Sequence, residues 1–330
     1  MRPFRAATET LCVSYIKLPT PIQTLICNLL TLSQMFPSYI PTAANSLTES
    51  TSIALAQQIK QAAIPTTLSE EDVVTTYVAQ GNGGTPILLL HGFDSSLLEF
   101  RRLLPILAQQ QSTYAVDLLG FGFSQRNLNI PLNPANIKTH LYHFWQKIIQ
   151  QPMILVGASM GGAAAIDFTL TYPDAVEALI LLDSAGLAKQ PAIGKFMFAP
   201  IDTFATEFLR NPKIRQSISR AAYFDKSFAS LDAQTCAALH LKCPNWNKSL
   251  IAFTKSGGYG SFTTQLSQIQ QPTLIIWGKQ DKILGTKDAA KFERAIPQSK
   301  LVWLDSCGHV PHLEQPEATA KEIQNFADAT

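Results

Sequence analysis

The stretch with the clearest chemical potential is Met153-Ile-Leu-Val-Gly-Ala-Ser-Met-Gly-Gly162. Four apolar residues run into Gly157-Ala-Ser-Met-Gly161, and small residues, Gly162-Ala-Ala-Ala-Ile-Asp-Phe168, follow. The pattern predicts a strand, a sharp turn and a helix, with Ser159 at the apex. A serine pushed out of such a turn sits in a strained backbone conformation. Its neighbours two before and two after must be nearly bare, so that strand and helix can approach closely, and glycine meets both needs. A serine hydroxyl is a poor nucleophile until a base takes its proton. Gly-x-Ser-x-Gly alone recurs by chance; its place between a strand and a helix gives it meaning.

The surrounding elements supply the frame. Asp72–Gln80 reads as an early strand, ended by the turn Gly81-Asn-Gly-Gly84. Pro86-Ile-Leu-Leu-Leu90 is a continuous apolar run, as expected for a strand buried on both faces. His91-Gly-Phe-Asp94 follows, then a helix predicted over 95–110. Tyr114–Leu118 is another buried strand, leading into Gly120-Phe-Gly-Phe-Ser124. A helix is predicted over 134–150, then strands at 178–183 and 272–277, a helix over 287–296, a strand at 301–304 and a closing helix over 315–329. Apolar strands alternating with amphipathic helices give a mostly parallel central sheet with helices on both faces. In such sheets chemistry gathers beyond the carboxyl ends of the strands. Ser159, His91-Gly92-Phe93, Asp281 and His309 each stand just after a strand.

Residues 188–268 break the alternation. They hold eight of the eighteen phenylalanines and no clear buried strand. An insertion of this length is usually functional, and it reads as an inserted helical cap or lid over the serine. Most of its aromatics form the cap's own core, with two or three left to face a pocket.

Composition narrows the class. The chain has 330 residues, 46% hydrophobic and only 15% charged, against about 25% charged in an average soluble domain. The net charge of +2, without blocks of like charge, argues against an electrostatic nucleic-acid binder. Cys12, Cys27, Cys236, Cys243 and Cys307 form no Cys-x-x-Cys pair, so free thiols in a reducing, cytoplasmic compartment are expected. No metal constellation and no cofactor fingerprint stands out. Gly120-x-Gly122 lacks the third glycine of a dinucleotide loop.

The N-terminal residues differ. Up to residue 48 there is one acid, Glu9, with Arg2, Arg5 and Lys17. The apolar segment Pro21–Phe36 is too short to span a bilayer. Ile53, Leu55, Ile59 and Ala63 put a stripe on a short helix closed by Pro65. The expectation is a loosely attached extension over 1–65 and a catalytic domain over 66–330. Membrane contact through the N-terminus, or targeting by it, is the less favoured alternative.

Five motifs together, in this order, resemble the α/β-hydrolase superfamily over residues 66–330. They are His91-Gly-Phe93, Asp117-Leu-Leu-Gly-Phe-Gly-Phe-Ser124, Gly157-Ala-Ser-Met-Gly161, Trp277-Gly-Lys-Gln-Asp281 and Gly308-His-Val-Pro-His-Leu-Glu-Gln-Pro-Glu317. The resemblance implies a triad in which Ser159 attacks, His309 accepts and returns the proton, and Asp281 holds His309 in the right tautomer. Asp183 also ends a strand and competes for the acid role; the Trp-Gly-x-x-Asp context favours Asp281. The backbone N–H groups of Phe93 and Met160 would form the oxyanion hole. His91, Gly92, Phe93, Met160 and Val310 would contact substrate. His91 more often shapes its turn than transfers protons in this motif. His240 and His312 have no assignable partner.

The implied activity is a serine hydrolase cleaving an ester, or a related carbonyl-centred bond, of a hydrophobic small molecule. Carbon–carbon bond hydrolases of ring-cleavage products share the Ser-Met-Gly-Gly turn. They usually carry Asn before the serine and Trp after the histidine, where this chain has Ala158 and Val310. Epoxide hydrolases and haloalkane dehalogenases need Asp at the position of Ser159. A non-enzymatic ligand receptor on the same fold is the alternative from another class, disfavoured by the intact Ser159, Asp281 and His309.

Overall fold

The computed structural model describes residues 35–188 and 201–330. Most of the apolar stretch Pro21–Phe36, Cys12, Cys27 and the cap residues Phe196 and Phe198 lie outside the described residues. Residues 36–330 form one unit. Among the described residues no helix is long and apolar enough to cross a membrane.

Eight strands build one sheet. In chain order they are β1 (Lys60–Ile64), β2 (Val73–Gln80), β3 (Ile87–Leu90), β4 (Thr113–Val116), β5 (Met153–Ala158), β6 (Val176–Leu182), β7 (Thr273–Gly278) and β8 (Ser299–Leu304). Their order across the sheet is β1-β2-β4-β3-β5-β6-β7-β8. β2 is antiparallel to both β1 and β4, and every pairing from β4 to β8 is parallel. β3, β5 and β7 are buried at every position, which is why they read as unbroken apolar runs. Alternate residues serve two cores, one on each face. Leu88, Leu90, Leu155, Leu179, Leu181, Ile275 and Trp277 enter one. Ile87, Leu89, Ile154, Val156, Ile180, Leu182, Leu274 and Ile276 enter the other. Pairing of Leu90 with Gly157, and of Gly278 with Leu304, aligns the carboxyl ends that carry the candidate site.

The boundary expected near residue 65 falls instead ahead of residue 36. Ile40, Ala44, Leu47, Leu55, Ala56 and Ile59 are buried in one of the sheet's two cores. The predicted helical stripe from Ile53 to Ala63 is really two elements. A helix over Ser50–Gln57 stops at Gln58, and Lys60–Ile64 then pairs with β2, Lys60 opposite Tyr77. Apolar residues of a helix followed by a strand mimic one helical period, and the Ala-Ala in β1 lacks the β-branched residues that mark strands.

The helix expected over 95–110 resolves into a 3₁₀ turn at Leu97–Phe100 and a short helix at Leu104–Leu107. That over 134–150 is α-helical to Phe144 and continues as a π-helical turn through Ile149. The described part of the cap is helical: Ile201–Arg210, Pro212–Ala222, Leu231–Ala238 and Trp246–Lys255, with no strand between residues 201 and 268.

Candidate active site

At the end of β5 the chain turns sharply. Ser159 adopts φ 53° and ψ −117°, a strained state for a residue with a side chain. Backbone bonds on both sides enforce it. Ser159 N–H donates to Leu182 O at 3.0 Å, and Ser159 O accepts from Gly162 N at 3.0 Å and Ala185 N at 2.9 Å. The flanking glycines are steric necessities. A Cβ on Gly161 would lie 2.1 Å from Leu90 O, and one on Gly157 2.3 Å from Gly161 O. The helix Met160–Thr171 then begins directly beneath the serine.

The loops after β7 and β8 bring the other two candidate residues together. His309 Nδ1 lies 3.0 Å from Asp281 Oδ2, so Nδ1–H donates to the carboxylate and Nε2 is left for the serine. Asp281 Oδ1 accepts from Ile283 N at 2.7 Å and Leu284 N at 3.1 Å. Burial works to raise the Asp281 pKa, but the His309 contact and these two N–H groups hold it below the usual carboxylate range. Asp281 is therefore an anion at neutral pH. The His309 loop is itself fixed: His309 N–H donates to Ala222 O at 2.7 Å, and Gly308 N–H to Glu314 Oε2 at 2.7 Å. Glu314 also accepts from Phe224 N and Asp225 N, at 3.0 and 2.6 Å, joining this loop to the cap.

Asp183 forms no hydrogen bond to His309, although ligand atoms of Asp183, Asp281 and His309 lie within 4.8 Å of one another. Its Oδ1 accepts from Gly278 N at 3.0 Å, and its carboxyl also meets the Asp281 side chain. Complete burial, and then the Asp281 charge, push its pKa well above the ordinary value. The two acids thus divide: the surroundings hold Asp281 towards its ionised form and push Asp183 towards its neutral one.

Ser159 and His309 face one cavity of about 300 Å³. Gly92, Phe93 and Val310 line it. His91 and Met160, also expected to contact substrate, do not line it. The His91 ring is turned into the protein: its Nε2 accepts from Leu118 N at 3.1 Å and its Nδ1 lies 2.8 Å from Gly92 O. This pattern fixes the neutral Nδ1–H tautomer and makes His91 a brace between two loops. The Met160 side chain is buried in a core of the sheet.

The roof differs from expectation. None of the described cap phenylalanines lines the cavity; the cap residues that do are Arg215, Ile218, Ser219, Ala222, Tyr223, Ala233, Cys236 and Ala237. Phe204, Phe208 and Phe224 are exposed, while Phe253 is buried against Phe93 and Phe121. Along the helix Pro212–Ala222 the inward positions 215, 218, 219 and 222 follow helical spacing, but that helix carries no aromatic residue that could have announced the roof.

Several site neighbours were missed from sequence. Asp94, directly after Phe93, receives bonds from Arg215, from His240 Nε2 at 3.1 Å and from Trp246 Nε1 at 2.7 Å. Glu99 accepts from Gly92 N–H at 3.2 Å and lies 3.2 Å from His312 Nε2. These are the partners that His240 and His312 lacked, and they sit 146 residues or a whole sheet away in the chain.

The fold and this elbow define the class, and comparison with known proteins agrees. A family model described as alpha/beta hydrolase fold matches residues 85–316. The chain belongs to the α/β-hydrolase family. It is 30% identical over 299 residues to the alpha/beta hydrolase domain-containing protein VTE7 of Arabidopsis thaliana, covering 88% of this chain and 90% of that one. It is 26% identical to Lipase 1 of Psychrobacter immobilis, over 76% of this chain and 79% of the lipase. Among solved structures, a serine hydrolase involved in carbazole degradation (the CarC enzyme) superposes with a TM-score of 0.69 at 24% identity, covering 82% of this chain and 100% of that one.

Proposed function

We propose that this α/β-family hydrolase is a serine esterase that cleaves an ester of a hydrophobic small molecule through an acyl-enzyme on Ser159. The observation that carries the reading is the pairing of His309 Nδ1 with an ionised Asp281 beside a serine held at positive φ, with His309 and Ser159 on one cavity wall. His309 Nε2 takes the Ser159 proton as Oγ attacks the carbonyl carbon, then returns it to the leaving alcohol; water repeats the cycle to free the acid. The Phe93 and Met160 N–H groups receive the oxyanion. The apolar walls, Ile218, Ala222, Ile283, Val310 and Leu313 among them, favour hydrophobic substrates, each buried methylene adding about 0.8 kcal/mol. The lipase among the relatives is consistent with this choice, and Ala158 and Val310 disfavour carbon–carbon hydrolysis.

The test is Ser159→Ala. It is expected to lower kcat on p-nitrophenyl esters at least about a thousandfold and to abolish covalent labelling by a fluorophosphonate. Retained turnover in that variant would sink the mechanism.

A further inference from the structure

Two arginines line the cavity, Arg101 and Arg215. Arg215 is paired with Asp94. Arg101 is not comparably paired. It is only 2% exposed, and its Nε and Nη2 have no hydrogen-bond partner. Its direct bonds are a long one, Nη1 to Leu98 O at 3.4 Å, and one to the Tyr223 hydroxyl. The nearest acid, Glu49, lies 3.9 Å from Nε and is already held by Arg102, which donates from Nε at 2.7 Å and from Nη2 at 2.8 Å. Two of the cavity residues beside the guanidinium, Tyr223 and Cys236, are neutral: burial raises both their pKa values, that of Cys236 to about 11. A guanidinium is always charged and offers five donors. Burying such a cation with no carboxylate in hydrogen-bond contact is costly.

We propose that Arg101 is a recognition residue of this cavity, and that the substrate carries an anionic group, carboxylate or phosphate, remote from the bond that is cleaved. The proposal deepens the esterase reading and rests on it for the position of that bond. Remoteness follows from Glu99, whose carboxylate stands beside Gly92 at the catalytic end and repels a second anion there. The walls of the cavity are mostly apolar. The cavity therefore fits an amphiphile: an ester at Ser159, a hydrocarbon body, and an anion at Arg101. Arg101 also borders a smaller cavity lined by Ser50, Thr51, Ala54, Leu55, Gln80 and Pro105, so the experiment must show which side the anion occupies.

Binding is measured by calorimetry with the Ser159→Ala protein, in which no turnover is needed. Monomethyl suberate and octyl phosphate are compared with the neutral methyl octanoate; the first two separate carboxylate from phosphate. At least one anion is expected to bind tenfold or more tightly than the neutral ester. Adding Arg101→Gln should remove that preference, and adding Arg101→Lys should restore part of it. In the active wild type the preferred anion should inhibit p-nitrophenyl ester hydrolysis competitively. Equal binding of neutral and anionic ligands overturns the proposal. So does a preference that survives Arg101→Gln, or inhibition that is not competitive, which would put the anion in the smaller cavity. Should Arg101→Gln fail to fold, the wild-type ratio of kcat/KM for mono-p-nitrophenyl suberate and p-nitrophenyl octanoate decides: a ratio of one or less overturns it. Loss of turnover on every ester, with anion binding intact, would count against the esterase reading alone.

Discussion

Arg215, on the cap helix Pro212–Ala222, donates to the buried carboxylate of Asp94, the residue after the proposed oxyanion donor Phe93. The same helix ends at Ala222, whose carbonyl accepts the backbone N–H of His309. No residue of this helix is buried, so polar ties such as these two weigh heavily in holding it. They link the cap to the turn after Phe93 and to the His309 loop. Asp94 itself sits at φ 50°, so the bonds that hold its side chain also hold the strained turn that aims Phe93 N–H.

Arg215→Met should therefore cost activity more than its distance from the chemistry suggests. Asp94 would keep His240 and Trp246 but lose its fixed cation, leaving a buried charge under-compensated. The expected result is a fall in kcat of about tenfold, equivalent to about 1.4 kcal/mol, with faster proteolytic cleavage in the cap. Unchanged kcat and cleavage rate would show that the helix is held elsewhere.

The two acids near His309 make a separable pair. Asp281→Asn should cost on the order of 10⁴ in kcat, through the wrong histidine tautomer, whereas Asp183→Asn should be mild. Stability gives an independent check. Asp183 has a raised folded-state pKa, so its contribution is fully present below the unfolded value, near 3.8, and is lost as pH rises through the folded one. Asp183→Asn removes this dependence. Its melting temperature relative to wild type should rise from pH 4 to pH 8; a flat difference would mean that Asp183 is ionised throughout.

His140 has the opposite sign. It is buried at 1% exposure, with Nε2 2.7 Å from Thr75 Oγ1. Desolvation lowers its pKa from 6.5 to about 4. A neutral buried histidine stabilises the fold above the unfolded pKa, and that stability is lost as pH falls from 6.5 towards 4. The loss amounts to about 3 kcal/mol. His140→Gln should blunt the acid limb of the stability profile in that window, as read from urea midpoints at pH 7 and pH 4. An identical acid limb would assign the acid sensitivity to other groups.

What could be read from sequence follows from how local each signal is. β3, β5, β6 and β7 were legible because strands covered on both faces need apolar residues at nearly every position. The turn at Ser159 was legible because its steric demands fall on residues within two positions of it. Asp94 was not, because its partners lie 121 to 152 residues away and arginine, histidine and tryptophan at those separations form no pattern. The cap's phenylalanines misled in a physical way: aromatic residues report burial on average, but here Phe204 and Phe208 face outward and none of the described cap phenylalanines lines the cavity. Asp183 and Asp281 both read as strand-end acids; the Trp-Gly-x-x-Asp context favoured Asp281, and it is Asp281 that His309 meets.

The N-terminal segment supplies the last prediction, because the sequence pointed to a dispensable tail and the structure points to a brace. Thr48 N–H and Glu49 N–H both donate to Asp232 Oδ1, at 2.5 and 2.9 Å, and Ser52 Oγ donates to Asp232 Oδ2 at 2.5 Å. Asp232 belongs to the cap helix Leu231–Ala238, which also contributes Ala233, Cys236 and Ala237 to the cavity. The segment before it buries Ile40 and Leu47 in a core of the sheet, and each such side chain contributes about 1.5–3 kcal/mol. Removing residues 1–48 exposes that core and frees one side of the cap helix. A loss of about 5 kcal/mol, roughly 10 °C or more in melting temperature for a domain of this size, is expected, with a rise in KM as the cavity wall loosens. A chain starting at Met35 keeps every one of these contacts and serves as the comparison. If the two truncations melt within about 2 °C of each other, well under 1.5 kcal/mol, the segment contributes no brace. If instead the shorter chain melts low but KM is unchanged, the segment stabilises the fold without shaping the cavity.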